Sequence, residues 1–222
     1  MPIDSRRRAL GVAAGLVIAA CLAAPLARAQ SVEEDFAIAV ANDRVAEVKR
    51  FLASGASPDL ADKNGDPVIV IAVRAGSFAS LDLLLGARAN VNAATKFGDN
   101  ALMVAALGGR LEVVKKLRAR GADVNRPGWN ALIYAATGGH DEVVRYLLTE
   151  GAEVNAESPN GTTALMMAAR EGRLSTLDLL IARGANVGHR NETGASALDW
   201  AKRSSSEPRL AEHLRRAGAL ER

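Results

Sequence analysis

The chain is poor in the residues that most enzymes and metalloproteins depend on. Its 222 residues include one cysteine, Cys21, and three histidines, His140, His189 and His213. A single cysteine forms no internal disulfide. Cys21 also lies in an N-terminal segment expected to be removed, which leaves the mature chain without a thiolate nucleophile or thiolate metal ligand. Aromatics make up only 4% of the residues, and an Ala- and Leu-rich chain with so few rings points to small, closely packed helices and away from a β-sandwich. An excess of one charge is missing as well. Residues 1–29 hold Arg6, Arg7, Arg8 and Arg28 against Asp4, which accounts for the whole net charge of +3 and leaves the rest balanced. No sustained basic run follows residue 29, so nothing supplies the phosphate neutralisation that nucleic-acid binding needs. What is present is a 49% hydrophobic, 24% charged chain, long enough for one or two domains with a real core. That excludes a disordered tail, a collagen-like fibre and a disulfide-stapled miniprotein.

The first 29 residues read as an export signal. Arg6-Arg7-Arg8 forms a basic start, the 16 residues from Ala9 to Ala24 are uncharged, and Ala27-Arg28-Ala29 offers a small-x-small cleavage pattern before Gln30. The apolar run is short of the roughly 20 residues of a membrane span, so a cleaved signal is preferred to an uncleaved anchor. Ile18-Ala19-Ala20-Cys21 is also similar to a bacterial lipobox, which leaves lipidation of Cys21 as an alternative. Ser5-Arg6-Arg7-Arg8-Ala9-Leu10 fits either a twin-arginine or an ordinary Sec start. The expected location is the periplasm of a Gram-negative bacterium, with membrane attachment only if Cys21 is lipidated.

The remainder repeats. Ala-Leu followed by Ala-Ala occurs as Ala101-Leu102/Ala105-Ala106, Ala131-Leu132/Ala135-Ala136 and Ala164-Leu165/Ala168-Ala169. A degraded copy follows at Ala197-Leu198/Ala201, and Val68-Ile69/Ala72-Val73 holds the same frame upstream. The offsets are 33, 30, 33 and 33 residues. A second mark shares the frame: Gly121-Ala122-Asp123-Val124-Asn125, Gly151-Ala152-Glu153-Val154-Asn155 and Gly184-Ala185-Asn186-Val187, with weaker copies at Gly55–Asp59 and Arg88–Asn92. Each unit carries a short apolar helix, a glycine turn, a second helix with an apolar stripe (Val113, Val114, Leu117; Val143, Val144, Leu147, Leu148) and a glycine that ends it. No such unit buries its apolar face alone, so the units must stack.

A period of 33 residues with these two marks resembles the ankyrin repeat, over about residues 32–220. The family's Thr-Pro-Leu-His tetrad is replaced by Asn100-Ala101-Leu102-Met103, Asn130-Ala131-Leu132-Ile133 and Thr163-Ala164-Leu165-Met166, which predicts a somewhat weaker helix start. The fold class is therefore all-α: an ankyrin-repeat solenoid of about six helix-turn-helix units joined by β-hairpin loops. The units are an N-terminal cap over 32–59, internal repeats over 60–92, 93–125, 126–155 and 156–188, and a C-terminal cap over 189–222, its second helix starting near Pro208.

Two departures from the frame stand out. Asn125 and Gly128 are separated only by Arg126 and Pro127, where other repeats have five residues, so this hairpin is three residues short. Arg88 stands where glycine normally ends the helix, which predicts strain or an altered turn.

No catalytic, cofactor or metal site emerges. The three histidines fall in different repeats without ligand spacing, and His140 reads as a hydrogen-bonding group between helix ends of adjacent repeats. Gly194-Ala195-Ser196-Ala197 lacks the second glycine of a nucleophile elbow. No phosphate-cradling glycine loop occurs, so no small-molecule substrate or cofactor is expected. The resemblance instead implies a protein partner, met by hairpin tips and the outer side of the first helices. Candidate tip residues are Lys96, Phe97, Asp99, Arg126, Trp129, Asn160 and Thr162; candidate groove residues are Arg74, Thr137, Arg170 and Glu171. Phe97 and Trp129 put aromatics beside the shortened hairpin, where Trp129 is either a contact or a plug over apolar surface, and Arg126 is expected to offer a cation at the rim. The function so implied is non-catalytic protein binding by a monomer, as an inhibitor, an immunity-type partner or a scaffold. The alternatives are a structural envelope lipoprotein and an enzyme with an unrecognised groove site.

Overall fold

The computed structural model describes residues 32–203 and 209–218. The expected export signal with Cys21, the expected cleavage point at Gln30, and Pro208 lie outside the described residues. Helices come in pairs: α1 (32–41) with α2 (Val45–Ala53), α3 (Val68–Ala75) with α4 (Phe78–Gly86), α5 (Ala101–Leu107) with α6 (Leu111–Ala119), α7 (Ala131–Gly138) with α8 (Asp141–Thr149), α9 (Ala164–Arg170) with α10 (Leu174–Ala182), and α11 (Ala197–Arg203) with α12 (Arg209–Arg216). These are the six expected units.

The first helices stack directly on one another, α3 on α5, α5 on α7, α7 on α9 and α9 on α11, and more closely than the second helices do. Alanine makes this possible. Ala101, Ala105, Ala106, Ala135, Ala136, Ala168 and Ala169 are almost wholly buried between neighbours, and a methyl group lets helix axes approach. Larger side chains of the second helices (Leu81, Leu84, Leu117, Leu147, Leu177, Leu180) fill the wider space behind.

Four of the first helices, α5, α7, α9 and α11, start at a side-chain cap, whereas α3 starts after Pro67 without one. The side chains of Asn100, Asn130 and Thr163 accept hydrogen bonds from the backbone N–H of Met103, Ile133 and Met166, satisfying one of the orphan donors of the first turn. In the last unit Ser196 and Asp199 cap each other reciprocally: the Asp199 N–H donates to Ser196 Oγ and the Ser196 N–H to Asp199 Oδ2. The cap expected to be weak is thus intact at the level of the hydrogen bond.

Four hairpins close through single antiparallel bridges, Ala61 to Pro67, Ala94 to Asn100, Glu157 to Thr163 and Arg190 to Ser196. The segment around Arg126 and Pro127 forms no such bridge, as three missing residues require. Arg88 does adopt left-handed backbone, φ 63°. The turn is not otherwise altered: the Ala89 N–H donates to the Leu84 carbonyl at 3.0 Å as the Ala122 N–H donates to Leu117.

Candidate partner-binding face

Hairpins and first helices share one side of the stack. Along it runs one side chain per unit from the fourth position of each first helix: Ile71, Val104, Tyr134, Met167 and Trp200, with Ile38 of α1 in the same frame. Met167 is buried, Ile71, Val104, Tyr134 and Trp200 are half-buried, and Ile38 is exposed. One turn further on, Leu107 is also exposed. Among the described residues six large apolar side chains are exposed; five of them (Val32, Ile38, Phe97, Leu107, Trp129) belong to first helices or hairpins, and only Phe78 to a second helix.

The centre of this face is built around the shortened hairpin. Trp129 meets Tyr134 edge-on, ring centroids 6.0 Å apart. The Tyr134 hydroxyl donates to Asp99 Oδ1 at 2.6 Å, across the junction between units three and four. Burial, and then the Asp99 carboxylate, push the Tyr134 hydroxyl far above its ordinary range, so it stays a donor. Phe97 is 81% exposed at the neighbouring tip, with Lys96 Nζ lying 5.2 Å from its ring centroid.

Two expected contacts are corrected. Thr162 is only 1% exposed; its N–H donates to Ser158 Oγ inside the hairpin, so its side chain is covered by the hairpin's own closure. Arg126 is half-buried and donates to the Gly98 carbonyl of the preceding hairpin. With no finger of its own to support, its side chain braces the neighbouring one and is not offered at the rim. Trp129 is 36% exposed and packs its ring edge-on against Tyr134.

The other candidates stand on this face with partners of their own. Arg74 pairs with Asp66 at 2.6 Å. Arg170 donates to Glu171 at 2.8 Å and its guanidinium lies 5.7 Å from the Trp200 ring centroid. Thr137 turns back to the Ile133 carbonyl at 2.8 Å, and Asn160 is exposed while accepting from the Ser158 hydroxyl at 2.6 Å. Tyr134 was missed by sequence reasoning. Its signal was a hydroxylated ring in a position that neighbouring units fill with Ile71, Val104 and Met167.

The histidines serve junctions. His140 Nε2–H donates to the Leu107 carbonyl at 2.8 Å, as expected of it. His189 Nε2 lies 2.8 Å from the Gly161 carbonyl, and His213 Nδ1 3.0 Å from Asp178. Among the described residues no three His, Cys, Asp or Glu side chains gather as a metal site would require. A groove of about 470 Å³ opens on the second-helix side between Phe78, Leu111, Lys116 and Glu142, with the Arg110 guanidinium 5.4 Å from the Phe78 ring centroid. It is a gap between second helices and shares no residue with the hairpin face.

No curated protein matches the chain at a significant level. A family model described as ankyrin repeats (3 copies) matches residues 36–127 and again 125–191. With six stacked helix pairs, hairpin bridges, and side-chain caps at the starts of α5, α7, α9 and α11, the chain belongs to the ankyrin-repeat family, whose repeats are protein–protein interaction modules and typically carry no chemistry of their own.

Proposed function

We propose that this protein is exported to the periplasm and binds one protein partner through its hairpin and first-helix face, acting by occlusion or by holding the partner in place. One observation carries the reading: exposed large apolar side chains collect on that face, five of six among the described residues. Apolar surface left in water is unfavourable, and a rimmed apolar patch is the ordinary mark of a contact site. The central units contribute Leu107, Phe97 and Trp129, and the charged residues Arg74, Asp66, Arg170 and Glu171 flank them. Hot spots of such faces are few and central.

The export reading rests on Arg6-Arg7-Arg8, the apolar run and Ala27-Arg28-Ala29. Sequencing the mature protein should find Gln30 first; a lipidated Cys21 at the N-terminus would place it on a membrane leaflet instead. The binding reading is tested by affinity capture from periplasmic extract with wild type and with Phe97→Ser/Leu107→Ser. Both residues are exposed, so the variant should melt within a few degrees of wild type. A partner retained by wild type and lost by the variant supports the reading. Equal recovery by both sinks it.

A further inference from the structure

Comparing equivalent positions of successive units exposes an ion pair that is present once and missing once. Asp66, Asp99 and Trp129 share one position of the repeat frame; Arg74, Leu107, Thr137 and Arg170 share another. In unit two the pair is complete, with Arg74 Nη1 2.6 Å from Asp66 Oδ2. In unit three the carboxylate is kept as Asp99, but leucine stands where the arginine stood. Among the described residues no cationic side chain pairs with Asp99. Its side chain accepts one hydrogen bond, from Tyr134, and at Oδ1 only. The nearest cations in sequence are committed elsewhere: Arg126 to the Gly98 carbonyl, Lys96 to the ring of Phe97.

A half-buried carboxylate with a single hydrogen bond is poorly compensated. Here it sits at the centre of the apolar face, held from one side by a hydroxyl that is itself packed against Trp129. The anion is thereby fixed in direction, and a fixed group loses little freedom on binding.

We propose that Asp99 receives an arginine side chain of the protein partner, with the Trp129–Tyr134 pair as its aromatic wall and Leu107 contacting the apolar residues beside it. Arginine fits better than lysine because a planar guanidinium donates to a carboxylate while stacking on a ring. The partner replaces in trans the cation that Arg74 supplies in cis one unit earlier. This rests on the hairpin face being the binding face.

The test uses the purified protein and three capped tripeptides, acetyl-Leu-Arg-Leu-amide, its citrulline counterpart and its lysine counterpart, followed by NMR on the Trp129 indole N–H with Trp200 as internal reference. The arginine peptide should move the Trp129 resonance saturably, and the uncharged citrulline peptide should bind at least about tenfold more weakly. Asp99→Asn should lower arginine-peptide affinity by a similar factor, and Asp66→Asn should not. Leu107→Arg recreates the unit-two pair in unit three and should abolish binding in a protein that melts normally, which keeps the test valid if Asp99→Asn folds poorly. Equal affinities for arginine and citrulline peptides, an unaffected Leu107→Arg variant, or no saturable shift overturns the proposal; a preference for the lysine peptide overturns the choice of arginine. The two readings fail separately. A partner lost by Phe97→Ser/Leu107→Ser but held equally by wild type and Asp99→Asn leaves the face and removes the receptor. Equal capture by wild type and Phe97→Ser/Leu107→Ser removes the face, whatever the peptides do.

Discussion

Arg88 shows how one residue can carry strain that its neighbours in the frame avoid. Gly55, Gly121, Gly151 and Gly184 occupy the same position with φ between 86° and 91°, whereas Arg88 holds φ 63° with a full side chain. A left-handed backbone costs an L-residue about 1–2 kcal/mol. Glycine removes that cost but adds unfolded-chain entropy worth about 0.4–1 kcal/mol. Arg88→Gly should therefore stabilise the protein by up to about 1 kcal/mol in urea unfolding, and a loss of stability would mean that the Arg88 side chain does something beyond filling space. The adjacent junction carries a second shortfall. Asn92, Asn125 and Asn155 each accept a backbone N–H of the next unit and donate Nδ2 to its Gly121, Gly151 or Gly184 carbonyl. Asp59 accepts the Asn90 N–H at 2.6 Å but has no N–H to give in return. Arg88 was visible in the sequence as a break in the frame and Gly55–Asp59 as a weaker copy of its mark; the missing return bond at Asp59 needed the structure.

At the level of the helix pair, the residues that open α4, α6, α8 and α10 each hydrogen-bond the end of the first helix of the unit before. Ser77 Oγ donates to the Ala41 carbonyl, His140 to Leu107 and Arg173 to Thr137, each meeting a carbonyl left free at a helix end, while Arg110 adds a second donor to the Val73 carbonyl that already accepts the Gly76 N–H. The imidazole of His140 needs room. A Cβ on Gly138 would stand 2.3 Å from His140 Cδ2 and 2.9 Å from the Leu107 carbonyl oxygen. Helix propensity alone favours alanine there by up to about 1 kcal/mol. Gly138→Ala should nevertheless destabilise, by about 1–3 kcal/mol of overpacking, and a higher Tm by calorimetry would contradict the junction. The terminal pair adds a pH dependence. The Ser196 N–H and hydroxyl, with Arg190, hold the Asp199 carboxyl below the usual carboxylate range. Its contribution is then complete above the unfolded value near 4 and lost as pH falls through the lower folded value. The stability difference between wild type and Asp199→Asn should be constant at neutral pH and shrink below about pH 4; a difference that grows on acidification contradicts the assignment. Helices and turns were legible because each unit repeats its own marks; the caps at Asn100, Asn130 and Thr163 were not, since the replaced tetrad predicted only a weaker helix start. Tyr134, Thr162 and Arg126 were misjudged because their roles are set by atoms of another unit or by the tilt of a closed hairpin, which periodicity does not encode.

Across the whole molecule, the shortened hairpin separates two functions that the repeat usually joins. Deleting three residues removes the bridge of one finger, yet the junction it belongs to is intact: Asn125 accepts the Glu153 N–H and donates to Gly151 as its counterparts do, and α5 and α7 remain closely packed. The deletion thus remodels the hairpin side and spares the stack. Cooperativity should then be governed by the core of the central unit and not by its tip. Leu132 is 1% exposed on α7, between α5 and α9, both of which pack on α7. Leu132→Ala should cost about 2–5 kcal/mol through lost burial and a cavity. In a stack where each unit contacts only its neighbours, that loss falls on two interfaces at once and should uncouple the units on either side. Hydrogen exchange should then show units one to three and units five and six opening independently, with two transitions in urea where wild type has one. Trp129→Ala, at the tip of the same unit, should lower stability by about 1–3 kcal/mol, through its edge contact with Tyr134 and the buried part of its ring, and keep the transition single. If the tip variant splits the transition and the core variant does not, the shortened hairpin is the seam of the solenoid, and the division between hairpin side and stack is wrong.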